Sequence, residues 1–556
     1  MKTVIVSINS KYIHAPLAPW YLKEACRGVA DIEVLIHSIN EELSSIYMDI
    51  LSREADVVMF SCYIWNIEYV KKLSSDIWKA DNNVKIVWGG PEVSFDCAKI
   101  LSENEYVDVI VSGEGEEALP AFFKGDYSNL CYRDNKGDVV DNSKYMKVEN
   151  LDSIRSPYTE EMLSKSRGKI MYYESSRGCP FDCSYCLSSA FDKVRCFSMD
   201  RIKEDISKIV NAGFKQIKFV DRTFNCIKSR AVEILEFLIN ETGDCTFHFE
   251  IAADILGEKF IRILNTAPIG KVQIEAGVQT LNEKTLEEID RVTDISKLKE
   301  NVAKTLSMCN VHVHLDLIAG LPYEDFESFK DSFNGVYRLE PHDLQLGFLK
   351  VLKGTKIEKR AKEYGIVYRE YAPYEIISSK WISAKELNIL KGVESALERL
   401  YNSSRLLLTL EYLMYKYYES AFDFYFDFSE YADELENISL NSLFQKVYEF
   451  MERFNDETID ELIRVDYLSS TISKKLPDFF SSEVSKQFRS ECFEFLKDEK
   501  NILEYLPRLT GMSTKEIYKL VHFEKIGDKV FLFDHSDKNI ITDRYSYTPL
   551  KKWPFV

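Results

Sequence analysis

Several features are scarce in this chain. No uninterrupted apolar run approaches the roughly 20 residues that a membrane helix needs, which points to a soluble protein. Basic residues are in deficit: 71 Lys and Arg against 90 Asp and Glu leave a formal charge of −19. Such a surface repels phosphate backbones, so general coating of nucleic acid is disfavoured while a local basic cleft stays open. Met1 to Ser10 alternates like a strand and lacks the charged, apolar and small-residue segments of a secretory leader, making the cytoplasm the expected compartment. Twelve cysteines in 556 residues are too few for a disulfide scaffold, and nine of them stand alone.

The length predicts about three domains, each with a core of its own. In the first third, apolar strands alternate with helical stretches: Thr3 to Asn9, Asp31 to Ile39, Asp56 to Cys62, Val84 to Gly90 and Val107 to Gly113. Parallel strands need crossover helices, so the expectation for residues 1–123 is an α/β, doubly wound, five-stranded domain. Ligands of such sheets bind at the carboxyl ends of strands. The loops there are Ser61-Cys62-Tyr63, Gly89-Gly90-Pro91-Glu92 and Ser112-Gly113-Glu114-Gly115-Glu116, with ordinary strand-ending turns as the plainer alternative. Residues 124–168 read as a linker with one small hairpin. A second series follows within 169–355: Ile170 to Ser175, Gln216 to Asp221, Thr246 to Ile251, Lys271 to Gly277, Val311 to Gly320 and Leu344 to Leu352. Six β/α units predict a partial (β/α)6 barrel with its chemistry at the strand C-terminal ends. Residues 356–556 read as mostly helical, as in Ala384 to Tyr401 and Leu407 to Tyr418. The aromatic run Ala421 to Phe428 reads as core, because such rings bury large areas.

The remaining three cysteines lie within eight residues, in Ser175-Ser176-Arg177-Gly178-Cys179-Pro180-Phe181-Asp182-Cys183-Ser184-Tyr185-Cys186. Thiolates favour zinc and iron–sulfur clusters, and structural zinc usually takes four ligands. Here Cys196 is ten residues on and the nearest downstream histidine is His248, so no fourth ligand is evident. Three thiolates on a cubane would leave one iron open to a small molecule.

The Cys-x3-Cys-x2-Cys triplet with Tyr185 before its last cysteine resembles the radical S-adenosylmethionine (SAM) superfamily. The resemblance implies a [4Fe-4S] cluster on Cys179, Cys183 and Cys186. It also implies SAM chelating the open iron, and reductive cleavage of SAM to a 5′-deoxyadenosyl radical. Phe219 to Asn225, Ile274 to Thr280 and Asp316 to Pro322 look like strand ends of that superfamily. By that likeness Asp221 and Glu275 accept hydrogen bonds from a ribose or amino group, Gly277 admits the nucleotide, Gln279 lies beside it, and Ile318 sits in the apolar strand end under the adenine. Arg177 and Arg195 would stabilise a carboxylate or the anionic cluster. Each has a structural alternative: Asp221 caps a turn, Glu275 pairs with Arg222 or Arg291, Gln279 faces water, and the arginines form surface pairs.

A five-stranded domain ahead of such a core is similar to the cobalamin-binding class of the superfamily, with the corrinoid between the two domains. The likeness carries over Ser61, Tyr63, Trp65, Gly89, Gly90, Glu92, Ser112, Gly113, Glu114 and Gly115 as cobalamin-loop residues. No histidine fits Asp-x-His-x-x-Gly, which implies cobalamin without an axial histidine, covered below by the loop from Tyr63 to Trp65. The whole arrangement resembles B12-binding radical SAM proteins with a DUF4080 C-terminal domain, for which the family assigns no chemistry. The implied function is methylation of an unactivated carbon. Radical rearrangement, cyclisation or ring contraction is the alternative, and a cobalamin or redox sensor the remote one. The implied partners are a small-molecule or peptide substrate and an external electron donor such as flavodoxin or ferredoxin; no membrane is implied, and the charge disfavours nucleic acid.

Overall fold

The computed structural model describes residues 1–555 except 191–192, 433–434, 436, 474–475, 481–484 and 552. The first α/β unit carries β1 (Lys2–Asn9), β2 (Asp31–Ser38), β3 (Val57–Ser61), β4 (Lys85–Gly89) and β5 (Val109–Val111). They form a parallel sheet in the order β2-β1-β3-β4-β5. Side chains alternate across it: Val4, Val6 and Ile8 join one apolar cluster, and Ile5 joins another on the opposite face. Two separate cores are what a sheet with helices on both faces produces.

The expected five strands are extended to seven. β6 (Cys131–Arg133) and β7 (Val139–Asp141) form a hairpin that adds antiparallel to β5. Hydrogen bonding to an open edge stabilises strands too short and too polar to stand alone.

The second unit begins with β8 (Met171–Tyr173), then β9 (Ser176–Arg177) and β10 (Arg195–Cys196), which pair antiparallel with each other. β11 (Gln216–Phe219), β12 (Thr246–Ile251), β13 (Val272–Gln279), β14 (Val311–Ala319) and β15 (Asp343–Phe348) complete a six-stranded parallel sheet in the order β15-β14-β13-β12-β11-β8. The buried positions of β13 and β14 alternate strictly, with Val272, Ile274, Ala276 and Val278 facing the packed helices.

Beyond the barrel come β16 (Val367–Tyr368) and β17 (Ile376–Ser378), then helices that share one core with the barrel strands. The helix Ala421–Tyr431 buries Phe422, Phe424, Tyr425 and Phe428, so its aromatic run is core. The C-terminal end departs from the helical expectation: β18 (Val521–Ile526), β19 (Lys529–Lys538) and β20 (Tyr545–Pro549) form an antiparallel sheet. Arg544, just before β20, reaches the fully buried Asp466 at 2.7 Å and ties that sheet to the helix Glu457–Ser470. Among the described residues, no helix is long and apolar enough to cross a membrane.

Candidate active site

The cysteine loop runs between β9 and β10. Gly178 sits at φ +97°, and a Cβ there would meet the Lys193 carbonyl oxygen at 2.5 Å, so only glycine lets the two ends of the loop close. The middle is clamped from both sides: Ser184 N–H donates to Ile289 O at 2.9 Å, and Ser184 O accepts from Ile357 N–H at 2.9 Å. Cys186 N–H bonds Cys183 O at 3.1 Å, the tight turn that an x2 spacing allows. Cys183 is buried, and the Arg291 guanidinium points at its Sγ at 3.7 Å while donating to Tyr185 Oη at 3.3 Å and to the Gly277 carbonyl. Burial pushes the Cys183 thiol up and Arg291 pulls it back. Cys179 Sγ lies 3.5 Å from Thr223 Oγ1.

None of the three thiols is in a disulfide. Among the described residues no three His, Cys, Asp or Glu side chains converge closely enough to hold one metal ion. A four-iron cube is larger than one ion and spaces its thiolates accordingly. Three thiols on one loop, outside any disulfide and with no fourth ligand among the described residues, fit a cube with one iron left open. Cys226, which the sequence reading left among the scattered thiols, lies within electrostatic reach of Cys179 and Cys196; burial first, then those neighbours, push it up to about 11, so it stays a neutral thiol.

The strand ends around this loop hold the other expected residues in unequal states. Gln279, at φ +70°, lays its amide against Gly277, and its Oε1 is buried without a hydrogen-bond partner, rather than facing water. Arg291 Nε is likewise buried and unpaired. An orphan acceptor and an orphan donor beside the cysteine loop fit a polar ligand. Ile318 is partly buried against the core.

Asp221 is engaged elsewhere: its carboxylate accepts from Ser175 N–H at 2.9 Å, Ser175 Oγ at 2.7 Å and Ser176 Oγ at 2.5 Å, pinning the strand that leads into the cysteines. It is buried, so it braces the loop instead of facing a nucleotide. Glu275 pairs with neither Arg222 nor Arg291. It accepts from His248 Nε2 at 2.9 Å and Lys218 Nζ at 3.3 Å. Against the upward push of burial, the His248 bond and the Lys218 charge pull its carboxyl down to about 2. Glu250, half-buried and paired in register with Glu275, is pushed up to about 7 by its burial first and by the Glu275 charge next.

In the first unit, the order β2-β1-β3 places the topological switch point between β1 and β3, where ligands of open α/β sheets bind. The β3 end is shaped by Asn66, which accepts from Tyr63 N–H at 2.8 Å and donates to Ser61 O at 2.9 Å and Ile8 O at 3.0 Å. Tyr63 and Trp65 stack with centroids 4.4 Å apart, and Trp65 remains 42% exposed with its Nε1 on Ile8 O at 3.0 Å. Tyr12, 72% exposed after β1, adds an aromatic surface the sequence reading missed; its signal was a bulky ring in a polar strand-end turn. Gly90 sits at φ +113°, and a Cβ there would overlap the Cys62 carbonyl, while Gly89 O accepts from Cys62 N–H at 2.7 Å.

The other loops contact the protein itself. Room at Gly113 is taken by the Met146 backbone, and Gly115 packs on Leu22. Ser112 Oγ donates to Ser94 O at 2.9 Å. Glu92 accepts from Lys353 Nζ at 2.9 Å and from the Tyr374 hydroxyl. Glu114 binds Arg195, Arg177 and, at 2.8 Å, the Val148 N–H. Arg177 also meets Glu116 at 2.6 Å and Glu174 at 2.7 Å, so neither arginine is left for a ligand carboxylate; together they clasp the two α/β units.

One further carboxyl secures the strand ends. Glu324 is fully buried after β14; its Oε1 accepts from the hydroxyls of Thr280, after β13, and Ser332, and its Oε2 has no partner. Burial pushes it up to about 7 from 4.5. The folded state therefore holds a proton that the unfolded chain releases between those values, and stability falls as pH rises through that window. Glu324→Gln is expected to remove this decline, matching the parent near pH 4.5 and exceeding it above pH 7 by on the order of 3 kcal/mol. Urea unfolding at several pH values checks this; parallel curves would count against it.

Three families match separate parts of the chain: the B12 binding domain over residues 3–123, the Radical SAM superfamily over 173–334, and the protein of unknown function DUF4080 over 362–543. The cobalamin-dependent radical SAM methyltransferase TokK of Streptomyces tokunonensis is 26% identical over 56% of this chain and 50% of its own. The chain thus spans about half the length of that relative. An uncharacterized methyltransferase of Pyrococcus horikoshii is 27% identical over 62% of this chain and 77% of its own. Among solved structures, the cobalamin-dependent S-adenosylmethionine radical enzyme OxsB with aqua-cobalamin bound superposes with a TM-score of 0.60 at 14% identity, covering 88% of this chain and 82% of that one, which establishes the shared fold.

Proposed function

We propose that this chain, which joins a B12-binding domain, a radical SAM domain and the DUF4080 region, is a cobalamin-dependent radical SAM enzyme that methylates an unactivated carbon. The observation that carries the reading is the loop of three thiols outside any disulfide, with no fourth ligand among the described residues, set where the parallel barrel strands end. When bound, the cluster supplies the electron that cleaves SAM to a 5′-deoxyadenosyl radical, and the cobalamin carries the methyl group. Cys179, Cys183 and Cys186 hold the cluster. Tyr185 and Arg291 fix the loop, and the unpaired Gln279 Oε1 and Arg291 Nε offer SAM an acceptor and a donor. The space beside Gly277 takes the Gln279 amide, and Ile318 offers the adenine a partly buried apolar strand end. Asp221 and Glu275 act at one remove, bracing the strands that present these groups.

On the other side, Tyr63, Trp65 and the Gly89-Gly90 turn form the cobalamin face, with the exposed rings as its apolar floor. Glu92, Glu114 and Ser112 hold that face against the barrel and linker. Neither the β1 nor the β3 end offers the Asp-x-His-x-x-Gly ligand, and His37 Nδ1 is hydrogen-bonded to Glu41 at 2.9 Å. Relatives named as methyltransferases support methyl transfer over the other outcomes of a substrate radical. The test is product analysis after anaerobic reconstitution with iron, sulfide and cobalamin. With SAM, dithionite and a whole-cell extract that keeps both water-soluble and lipid fractions, S-adenosylhomocysteine and 5′-deoxyadenosine are expected together. Formation of 5′-deoxyadenosine alone would sink methylation.

A further inference from the structure

The inner face of the barrel sheet is polar through its depth. Along β12, β13 and β14 the buried apolar positions alternate with half-buried polar ones: His248 on β12, Gln273 and Glu275 on β13, His312 and His314 on β14. Lys218 of β11 and Asp343 of β15 continue this face to either side. Four of the eight histidines collect here: His342 stacks on His312 at 5.1 Å, His312 faces Asp343 at 3.4 Å, and His248 bonds Glu275.

Closed eight-stranded barrels fill this space with layers of Val, Ile and Leu. Here the side chains of Lys218, Glu275, His248, His312 and Asp343 keep between 15% and 30% of their surface, although they lie inside the fold. The lumen is therefore open to water and is not a packed core. His314 Nε2 and Asp316 Oδ1 stand 3.0 Å apart but are misaligned, each buried without a hydrogen bond. An apolar molecule entering such a lumen would remove water from these groups and return no hydrogen bonds, whereas a polar one replaces the water it displaces.

We infer that the substrate is a small, water-soluble molecule whose hydrogen-bonding groups enter the polar lumen between Lys218, His248, His312 and His314, and that lipids and other apolar molecules are excluded. This rests on the radical reading above and names the substrate class of the same site. The radical takes a hydrogen atom from its substrate, so deuterated substrate marks the 5′-deoxyadenosine it produces. Cells that make the protein are grown in deuterated medium and their extract is divided into water-soluble small molecules and solvent-extractable lipids. Each fraction is offered to the reconstituted holoenzyme with SAM and dithionite, and deuterium in 5′-deoxyadenosine is read by mass spectrometry.

Label is expected from the water-soluble fraction. With Lys218→Met and with His312→Leu, the labelled share of the 5′-deoxyadenosine formed should fall at least fivefold. Total 5′-deoxyadenosine is the denominator, so a loss of holoenzyme does not imitate the result. Label from the lipid fraction, label from neither, or an unchanged share in both variants overturns the inference while leaving the radical reading intact. Absence of 5′-deoxyadenosine under every condition overturns both.

Discussion

Cys183→Ala is expected to abolish cluster binding and, with it, the formation of 5′-deoxyadenosine. Cys183 is the most enclosed of the three thiols, and it is the one on which Arg291 converges. Its removal leaves two thiolates, too few to hold a cube that already lacks a fourth protein ligand. Iron after reconstitution should drop from about four per chain to near zero, and SAM cleavage by at least roughly a thousandfold, the scale on which a reaction loses its electron source. The loop itself should survive, since Gly178 and the two backbone bonds to Ser184 close it without the thiol. Iron and sulfide assays with electron paramagnetic resonance of the reduced protein read the cluster, and chromatography reads the nucleoside. Cys196→Ser and Cys226→Ser supply the contrast: both should keep full iron, because neither belongs to the triplet. Retained iron in Cys183→Ala, or lost iron in Cys226→Ser, would mean the ligand set is wrong.

Much of this was legible in the sequence because parallel strands announce themselves. Runs such as Val57–Ser61, and the strict alternation in Val311–Ala319, carry their burial in their composition. The triplet was legible because its chemistry is local: three thiols in one loop need no distant partner. What escaped depends on partners far along the chain. The small hairpin expected in 124–168 is there as β6 and β7, but its joining the sheet depends on the edge that β5 offers. The C-terminal sheet begins directly where the helix Thr514–Leu520 ends, so a helical pattern runs into Val521–Ile526 with no turn signal between. Of the partners of Arg177, only Glu174 lies in its neighbourhood. A guanidinium next to a cysteine triplet suits an anionic cluster by composition, yet Glu114 and Glu116 lie about sixty residues upstream and reach it only once the two units dock. Asp221 follows the same logic: a carboxylate at a strand end suits a ribose, but Ser175 and Ser176 approach it first across the β8–β11 pair.

The clasp built on Arg177 yields the second large effect. Its guanidinium is enclosed by Glu114, Glu116 and Glu174 and lies over the Tyr21 ring at 5.3 Å. Arg177→Met keeps most of the side-chain volume but leaves three buried carboxylates with Arg195 alone against them, on Glu114. Removing one partner of a buried pair costs about 3 to 5 kcal/mol, because the charge left behind has lost its water and gained nothing. The loss falls on the seam between the units, so the first urea transition should move to lower concentration and the segment 124–168 should become the first site of proteolysis. The pH dependence has a definite sign. In the parent, burial pushes the Glu114 carboxyl up but Arg195 and Arg177 more than offset it, leaving it below its ordinary 4.5. The clasp is thus intact at neutral pH and is lost only as acid protonates Glu114. In the variant the crowded carboxylates favour protonation, so its deficit against the parent should be largest at neutral pH and shrink below about pH 5. Adding Glu116→Gln and Glu174→Gln to Arg177→Met should recover most of the lost stability by discharging the site. A deficit independent of pH, or one the added glutamines leave untouched, would show that Arg177 contributes packing over Tyr21 and that its charge does not join the two units.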